Sequence, residues 1–336
     1  FAYLYSGLIK NVTADDDYTV TFTLSRVYGP FVSSLCRLYI MSEAMVTANE
    51  ADGTYGDHGD YGKNWLLTHD AGSGPYMTKE LEQNNYFLAD RYADWWGGWD
   101  DRADAPEQFK IIYGTEPATV RTMMSTQGLE ISDMWQTAES LTALDSLPGV
   151  DLATYTTRLV QNIFFNCSIA PTDDVNIRKA LSSLVDYDTL INACWPGSVK
   201  ANGPVSNSTA GHIDVGNYTY DVETAKKYIA QSKYADTIGD YELEFLQISD
   251  NAALEKVALS MQAACAQAGI KVKISKAPWT TIQERCSTAA SMPNMCSINS
   301  GPQFNEAGAT LESQFLSKNA GTYENCCWIN DAKLDE

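Results

Sequence analysis

The sequence predicts an α/β protein, and three observations carry that reading. The second half alternates segments of helical period with segments of strand period. One helix gives way to a strand across a single glycine, "ALEKVALSMQAACAQAG" running straight into "IKVKIS"; links this short are the habit of α/β units. The composition also supports real cores. Of 336 residues, 44% are hydrophobic and 20% charged, an ordinary globular balance, and the length allows two or three folding units.

The elements follow in order. In "DDYTVTFTLSR", Tyr18, Val20, Phe22 and Leu24 share one face, which predicts a strand, with "TADDD" before it as a turn. "ANEADGTYGDHGDYGKN" is rich in Gly and Asp and predicts a long loop; its acids miss the spacing of a calcium-binding loop. "AGSGPY" leads into extended sequence, "YMTKELEQNNYFLADRY", not into a helix N-terminus, so it is no phosphate cradle. "EPATVRTMMSTQGLEISDMW" reads as a helix stopped at Gly128 and then a strand, and "TAESLTALDSLPGVDLATY" repeats the scheme with Pro148 and Gly149. "DDVNIRKALSSLVDYDTLI" places Val175, Ala180, Leu181, Leu184 and Val185 at helical spacing. Asp221 is a natural N-cap for a helix that buries Ala225, Tyr228 and Ile229. "YELEFLQIS" is a strand. The helix that follows turns Leu254, Val257, Ala258 and Met261 inward, and in the next strand Ile270, Val272 and Ile274 alternate with Lys271 and Lys273.

Charge and chemistry exclude more than they assign. A net charge of −20 argues against nucleic acid and against an anionic membrane surface, since both need a basic footprint. No run approaches the roughly 18 apolar residues of a membrane helix. The chain has no G-x-S-x-G elbow, H-E-x-x-H helix, P-loop or G-x-G-x-x-G fingerprint, and only His58, His69 and His212. The eight cysteines are Cys36, Cys167, Cys194, Cys265, Cys286, Cys296, Cys326 and Cys327, without a C-x-x-C pair, so neither a metal nor a cofactor is expected. Most read as small buried hydrophobes. A reversal at Pro293 would let Cys286 and Cys296 approach, as a bridge in an oxidising compartment. Triplets for N-glycosylation at Asn11, Asn166, Asn207 and Asn217 matter only in a eukaryotic secretory pathway.

Seven segments, in order, resemble the peptide/nickel-binding family (family 5) of extracytoplasmic solute-binding proteins of ABC importers. "DDYTVTFTLSRVYGPF" resembles its hairpin; "GSGPY" its G-T-G-P-Y turn, with Ser73 in the Thr place; "RYADWWGGWDD" its Y-W-G-G segment; and "MMSTQGLEISDM" its L-x-x-G-E-I-D pattern, with Asp133 at the acid. "FFNCSIAPTDDVNIRKALSSLVDYDTLI" is the most specific match, and "GPV" with "YDVETAKKYI", then "AGIKVKI", complete the series. The resemblance implies a two-lobe periplasmic-binding-protein-like fold of type II, cluster C, with a small extra domain. Residues 1–68 would be the remainder of that extra domain, 69–160 a partial first lobe and 161–336 the second lobe, entered through "RLVQNIFFN". It also implies that the family's leader, first strand region and last helices lie outside this chain, leaving an unpaired strand edge in the first lobe.

The implied function is the substrate-binding component of an ABC importer. It would capture a peptide or peptide-like solute between two lobes and pass it to a membrane permease. It would be a monomer outside the cytoplasm, periplasmic or lipid-anchored, and not an enzyme. The alternatives are a glycan-binding member of the same family and an α/β hydrolase acting on peptides. By the resemblance, Asn166 takes the Asn of F-N-T near the crossover, with Cys167 in the Thr place. The loop "CSINSGPQFNEAG" takes the place of a segment in which peptide binders put an Asp on the ligand's α-amino group. Here Ser297, Asn299, Ser300, Gly301 and Gln303 stand instead, with Glu306 the nearest acid. Trp195 and Trp279 complete the expected substrate-binding set. The same resemblance makes Trp95 and Trp96 packing residues at a corner that Gly97 and Gly98 allow, with Trp99 the most exposed of the three.

Overall fold

The computed structural model describes residues 4–249 and 251–336. The strands are β1 (Ile9–Asp16), β2 (Thr19–Leu24), β3 (Tyr76–Glu82), β4 (Tyr86–Arg91), β5 (Gln108–Ile112), β6 (Val160–Phe165), β7 (Glu242–Ile248), β8 (Lys271–Ala277) and β9 (Met295–Ser300). The helices are α1 (Phe31–Ser34), α2 (Glu43–Ala48), α3 (Pro117–Ser125), α4 (Ala138–Asp145), α5 (Val175–Ser183), α6 (Tyr187–Cys194), α7 (Val222–Ala230), α8 (Ala252–Gln267), α9 (Trp279–Cys286), α10 (Ala307–Phe315) and α11 (Ala332–Asp335). They form two compact units. One takes the described residues up to Ser34 with Arg121–Glu336; the other is Leu35–Val120.

The larger unit is built on a four-stranded sheet in the order β6-β9-β7-β8. β7 and β8 are parallel and joined through α8, and β7 is also parallel to β9, while β6 runs antiparallel to β9. The crossover is as the sequence predicts. Asn251 caps α8, accepting from the amides of Ala253 and Leu254, and Gly269 ends it at φ +81°, a conformation that costs glycine little. Leu254, Val257, Ala258 and Met261 are all buried. One face of the sheet packs on α5, α7 and α8, with Ile177, Leu181, Leu243, Phe245 and Met295 fully buried. The other face carries a second core of Phe164, Leu246, Ile282, Cys286, Met292, Cys296, Ile298 and Cys326. Arg285 on α9 fastens that side, donating to both carboxylate oxygens of Glu244 at 2.7 and 2.9 Å. That bidentate contact holds the Glu244 carboxyl below its usual range.

Several local expectations change. The predicted turn at 13–17 is largely strand: β1 pairs with β2 through Asp16. "YMTKELEQNNYFLADRY" is a hairpin of β3 and β4, turned at Asn84 with φ +62°. The helix expected over 173–191 is two, because Asp186 caps a new start at Tyr187; Val175, expected inside, is 50% exposed. The strands expected after α3 and α4 do not form. Residues 129–134 and 150–157 carry no strand assignment, and Ile131, Leu152 and Tyr155 are exposed. An alternating segment becomes a strand only where another strand accepts its ladder.

The smaller unit holds the antiparallel sheet β3-β4-β5. At the corner that follows β4, the Trp95 and Trp99 rings pack at 5.3 Å, tilted by 52°, while Arg102 lies over Trp95 and Arg91 over Trp99. A side chain at Gly97 would strike the Trp95 ring at 2.4 Å, and Gly98 takes φ +67°. Of the two residues expected to pack, Trp95 does so, and its partner is Trp99. Trp96, not Trp99, is the exposed one, at 80%, with its indole N–H on the Ser73 carbonyl.

The acidic loop folds around one residue. Asp60 is buried, and its carboxylate accepts from the amides of Ala51, Gly62 and Asn64 at 2.8–3.0 Å. These backbone hydrogen bonds lower its pKa. A lowered carboxyl stabilises the fold fully above its unfolded value of about 3.9 and loses that contribution as pH falls through the folded value. Hydrogen exchange of the Ala51, Gly62 and Asn64 amides, relative to its intrinsic rate at each pH, is therefore expected to accelerate on acidification below about pH 4. In Asp60→Asn it is expected to be fast already at neutral pH, and an unchanged profile would contradict this role.

Candidate functional site

The carboxyl ends of strands are where open α/β sheets bind ligands, because helix N-termini and loops converge there. In the larger unit, that end carries an unusual patch. Antiparallel register places Gln161 opposite Asn299, and Ile163 opposite Ser297, so Gln161, Ser297 and Asn299 share one face. One residue beyond the parallel Leu246–Cys296 pair, Gln247 comes beside Ser297 on that same face. Strand alternation explains the side: Leu243 and Phe245 enter the helical core, and Gln247 follows them.

The chemistry of the patch is neutral and incompletely satisfied. The Gln161 side-chain N–H donates to Ser297 Oγ at 2.8 Å and to the Asn162 carbonyl at 3.1 Å. Among the described residues its Oε1 has no partner, and neither end of the Gln247 amide has one, although Gln247 is 1% exposed. Nearly all buried polar groups are paired, and an unpaired amide costs about 1–3 kcal/mol. The acceptor of Gln161 and both ends of the Gln247 amide thus stand together at one strand end without a partner among the described residues. None of the four side chains titrates, so the patch holds no charge of its own.

The opposite face shows the contrast. There Ser300 Oγ accepts from Asn162 and from Gln314 of α10, each at 2.8 Å. That network closes within the protein.

The other residues expected at the site fall in different places. Asn166 lies past the far end of β6, roughly 16 Å from Gln161 at the rise of a strand. It is fully buried, donates to the carbonyls of Ala289 and Met292 at 2.8 and 2.7 Å, and accepts from the Ser168 amide and hydroxyl. Its hydrogen-bonding positions are thus engaged by the protein. Trp195 caps the C-terminus of α6 and packs against the helical core. Trp279 opens α9, 37% exposed, with its ring edge-on to Tyr323 at 5.0 Å. Gly301 follows β9 where the chain passes Arg158; a side chain there would meet the Arg158 carbonyl oxygen at 2.7 Å. Glu306 caps α10, its carboxylate accepting from the Ala309 amide at 3.1 Å.

Gln303 is buried and donates to the carboxylate of Glu324. Glu324, 4% exposed, is an acid beside the loop that sequence reading did not single out. Gln161 and Gln247 were missed too. Their signal was a glutamine at an inward position of an otherwise apolar strand, in "LVQNIFF" and "LEFLQIS".

Comparison with known proteins agrees with this architecture. Residues 1–322 match the family model described as bacterial extracellular solute-binding proteins, family 5 Middle. The probable D,D-dipeptide-binding periplasmic protein DdpA of Escherichia coli (strain K12) is 25% identical over 328 residues, 97% of this chain and 60% of that protein. Heme-binding protein A of Haemophilus influenzae is 24% identical over 285 residues, 84% of this chain and 50% of that protein. Among solved structures, the ABC transporter-associated periplasmic binding protein DppA from Helicobacter pylori, in complex with peptide STSA, superposes with a TM-score of 0.82. It shares 19% identity, covering 98% of this chain and 62% of that one. The chain thus spans between half and about three fifths of the length of these relatives. The α/β fold that the resemblance implied is the fold of these binding proteins, and the chain belongs to the family 5 extracellular solute-binding proteins.

Proposed function

We propose that this chain is the greater part of the substrate-binding component of an ABC-type importer, one that captures a peptide or peptide-like solute and delivers it to a membrane permease. It acts outside the cytoplasm, free in the periplasm or lipid-anchored, as a monomer and not as an enzyme. Residues 1–68 belong to an extra domain, 69–160 to a first lobe and 161–336 to a second. Among the described residues no helix is long and apolar enough to cross a membrane. The relatives named above bind, by their names, a D,D-dipeptide, heme and the peptide STSA.

The observation that carries the reading is that, among the described residues, Gln161 Oε1 and both ends of the Gln247 amide lack a partner, beside Ser297 and Asn299. An amide side chain offers one acceptor and donors, the complement of a peptide group. A solute bearing amides would satisfy both glutamines at once. In this reading Gln161, Gln247, Ser297 and Asn299 contact the solute, and Gly301 and Gln303 shape the adjoining loop. Asn166, Trp195, Trp279 and Glu306 hold the surrounding elements.

Native mass spectrometry of the freshly purified protein tests the proposal. The expected result is a retained solute that fragments into amino-acid residues. A sugar ladder would favour the glycan-binding alternative. Hydrolysis of chromogenic esters or peptides, with no retained solute, would overturn the receptor reading in favour of an enzyme.

A further inference from the structure

Three cysteines far apart in sequence meet in the core beneath the sheet. Cys286 ends α9, Cys296 is the second residue of β9, and Cys326 lies in the segment after α10. All three are fully buried in one apolar cluster with Phe164, Leu246, Ile282 and Met292. All three are free thiols, and Met292 Sδ lies 3.9 Å from the Cys286 sulfur. Cysteines gathered in one packed core cluster can be bridged with less backbone movement than cysteines held apart in the fold.

We propose that Cys286 is the hub of a disulfide in the mature protein, bonded to Cys296 or Cys326, so that α9 is fastened to β9 or to the segment after α10. The inference rests on the reading that the chain works outside the cytoplasm, where disulfides persist. The oxidant is an external disulfide of the kind that thiol–disulfide exchange catalysts carry. The Cys286 thiolate attacks one of its sulfurs and releases one thiol, leaving a mixed disulfide. The thiolate of Cys296 or Cys326 then attacks the Cys286 sulfur and releases the second thiol. Two protein thiols and one external disulfide become one protein disulfide and two external thiols.

The local chemistry assigns the hub to Cys286. The thiols of Cys296 and then Cys326 donate to its sulfur, and the Arg285 cation adds to their effect, so its pKa is lowered. Cys296 and Cys326, as the donors and in a dry core, are pushed up. Complete burial places oxidation before the core closes. The partners differ in loop length: Cys296 closes a short loop and forms readily, whereas Cys326 closes a longer loop and restricts the unfolded chain more.

The test is refolding of the reduced, denatured full chain in a mixture of reduced and oxidised glutathione, followed by alkylation and non-reducing peptide mapping. The expected result is a linked peptide containing Cys286 joined to Cys296 or Cys326, with those two thiols lost from the alkylatable set. Cys296→Ser and Cys326→Ser should each still bridge through the other partner, and the double variant should leave Cys286 alkylated. Eight alkylated thiols in the refolded wild-type chain would overturn the proposal, as would a bridge elsewhere with Cys286 free. Because mapping is done on the wild-type chain, a variant that fails to fold does not decide the matter. Fractionation of the producing cell reads location separately: a chain kept in the cytoplasm would sink the location reading, while the refolding assay would still report on the cluster.

Discussion

Gln247→Met is expected to make the unliganded protein more stable and a poorer receptor. The wild-type side chain buries an amide with no partner at either end among the described residues. Replacing it with an apolar chain of similar volume removes a desolvation cost of about 1–3 kcal/mol. The swap itself costs less than about 1.5 kcal/mol. A net gain near 1 kcal/mol corresponds to a rise in Tm of about 2–4 °C for a unit of this size. Binding should move the other way. Loss of two neutral hydrogen bonds, each worth about 0.5–1.5 kcal/mol, weakens affinity by about 5- to 150-fold. Calorimetry of unfolding and of binding, on one preparation, checks both halves. A variant that melts lower and binds as well as wild type would make Gln247 a structural residue.

The second large effect concerns the end group of the ligand. A buried ammonium requires a paired anion. The patch offers amide and hydroxyl groups only, and the Glu306 carboxylate is occupied at the N-terminus of α10. Acetylating the α-amine of a bound peptide is therefore expected to change affinity by no more than about threefold. A charge-assisted clamp, worth about 1.5–3 kcal/mol, would instead cost about 10- to 150-fold on acetylation. Should that larger loss appear, Glu324→Gln and Glu306→Gln identify the acid. Glu324 is the stronger candidate because it is buried next to Gln303.

What the sequence made legible follows the range of the interactions involved. Caps and periodicity act within a few residues, so the Asp221 and Asn251 helix starts and the α8–Gly269–β8 crossover are placed by local chemistry alone. The division of α5 from α6 was hidden because Leu184 and Val185 continue the apolar period past the break, while Asp186 begins a new helix. Strands expected at 129–134 and 150–157 failed for the converse reason: alternation is local, but a ladder needs a distant partner.

The candidate site divides in the same way. Ser297 and Asn299 could be singled out because neutral residues stand where the family resemblance places an acid. Gln161 and Gln247 belong with them only through the pairing of β6 and β7 with β9, which joins residues more than a hundred positions apart in the case of Gln161. Asn166 shows the limit of carrying a role along a motif. Its amide is engaged by Ala289, Met292 and Ser168, and none of those contacts can be read from the motif itself. The approach of Cys286 and Cys296 was legible from a reversal at Pro293, whereas Cys326 joins them from forty positions downstream of Cys286.

A solute that meets the open acceptor of Gln161 and both ends of the Gln247 amide must register at those two side chains. The most direct measurement is nuclear magnetic resonance of glutamine side-chain amides, labelled with nitrogen-15, during titration with the solute that native mass spectrometry recovers. Gln161→Met and Gln247→Met identify the two signals. Both are expected to shift with the solute, with slowed exchange of the Gln247 amide hydrogens, while the signal of Gln314, already bonded to Ser300, stays in place. Saturable binding that leaves the Gln161 and Gln247 signals unmoved would contradict this expectation.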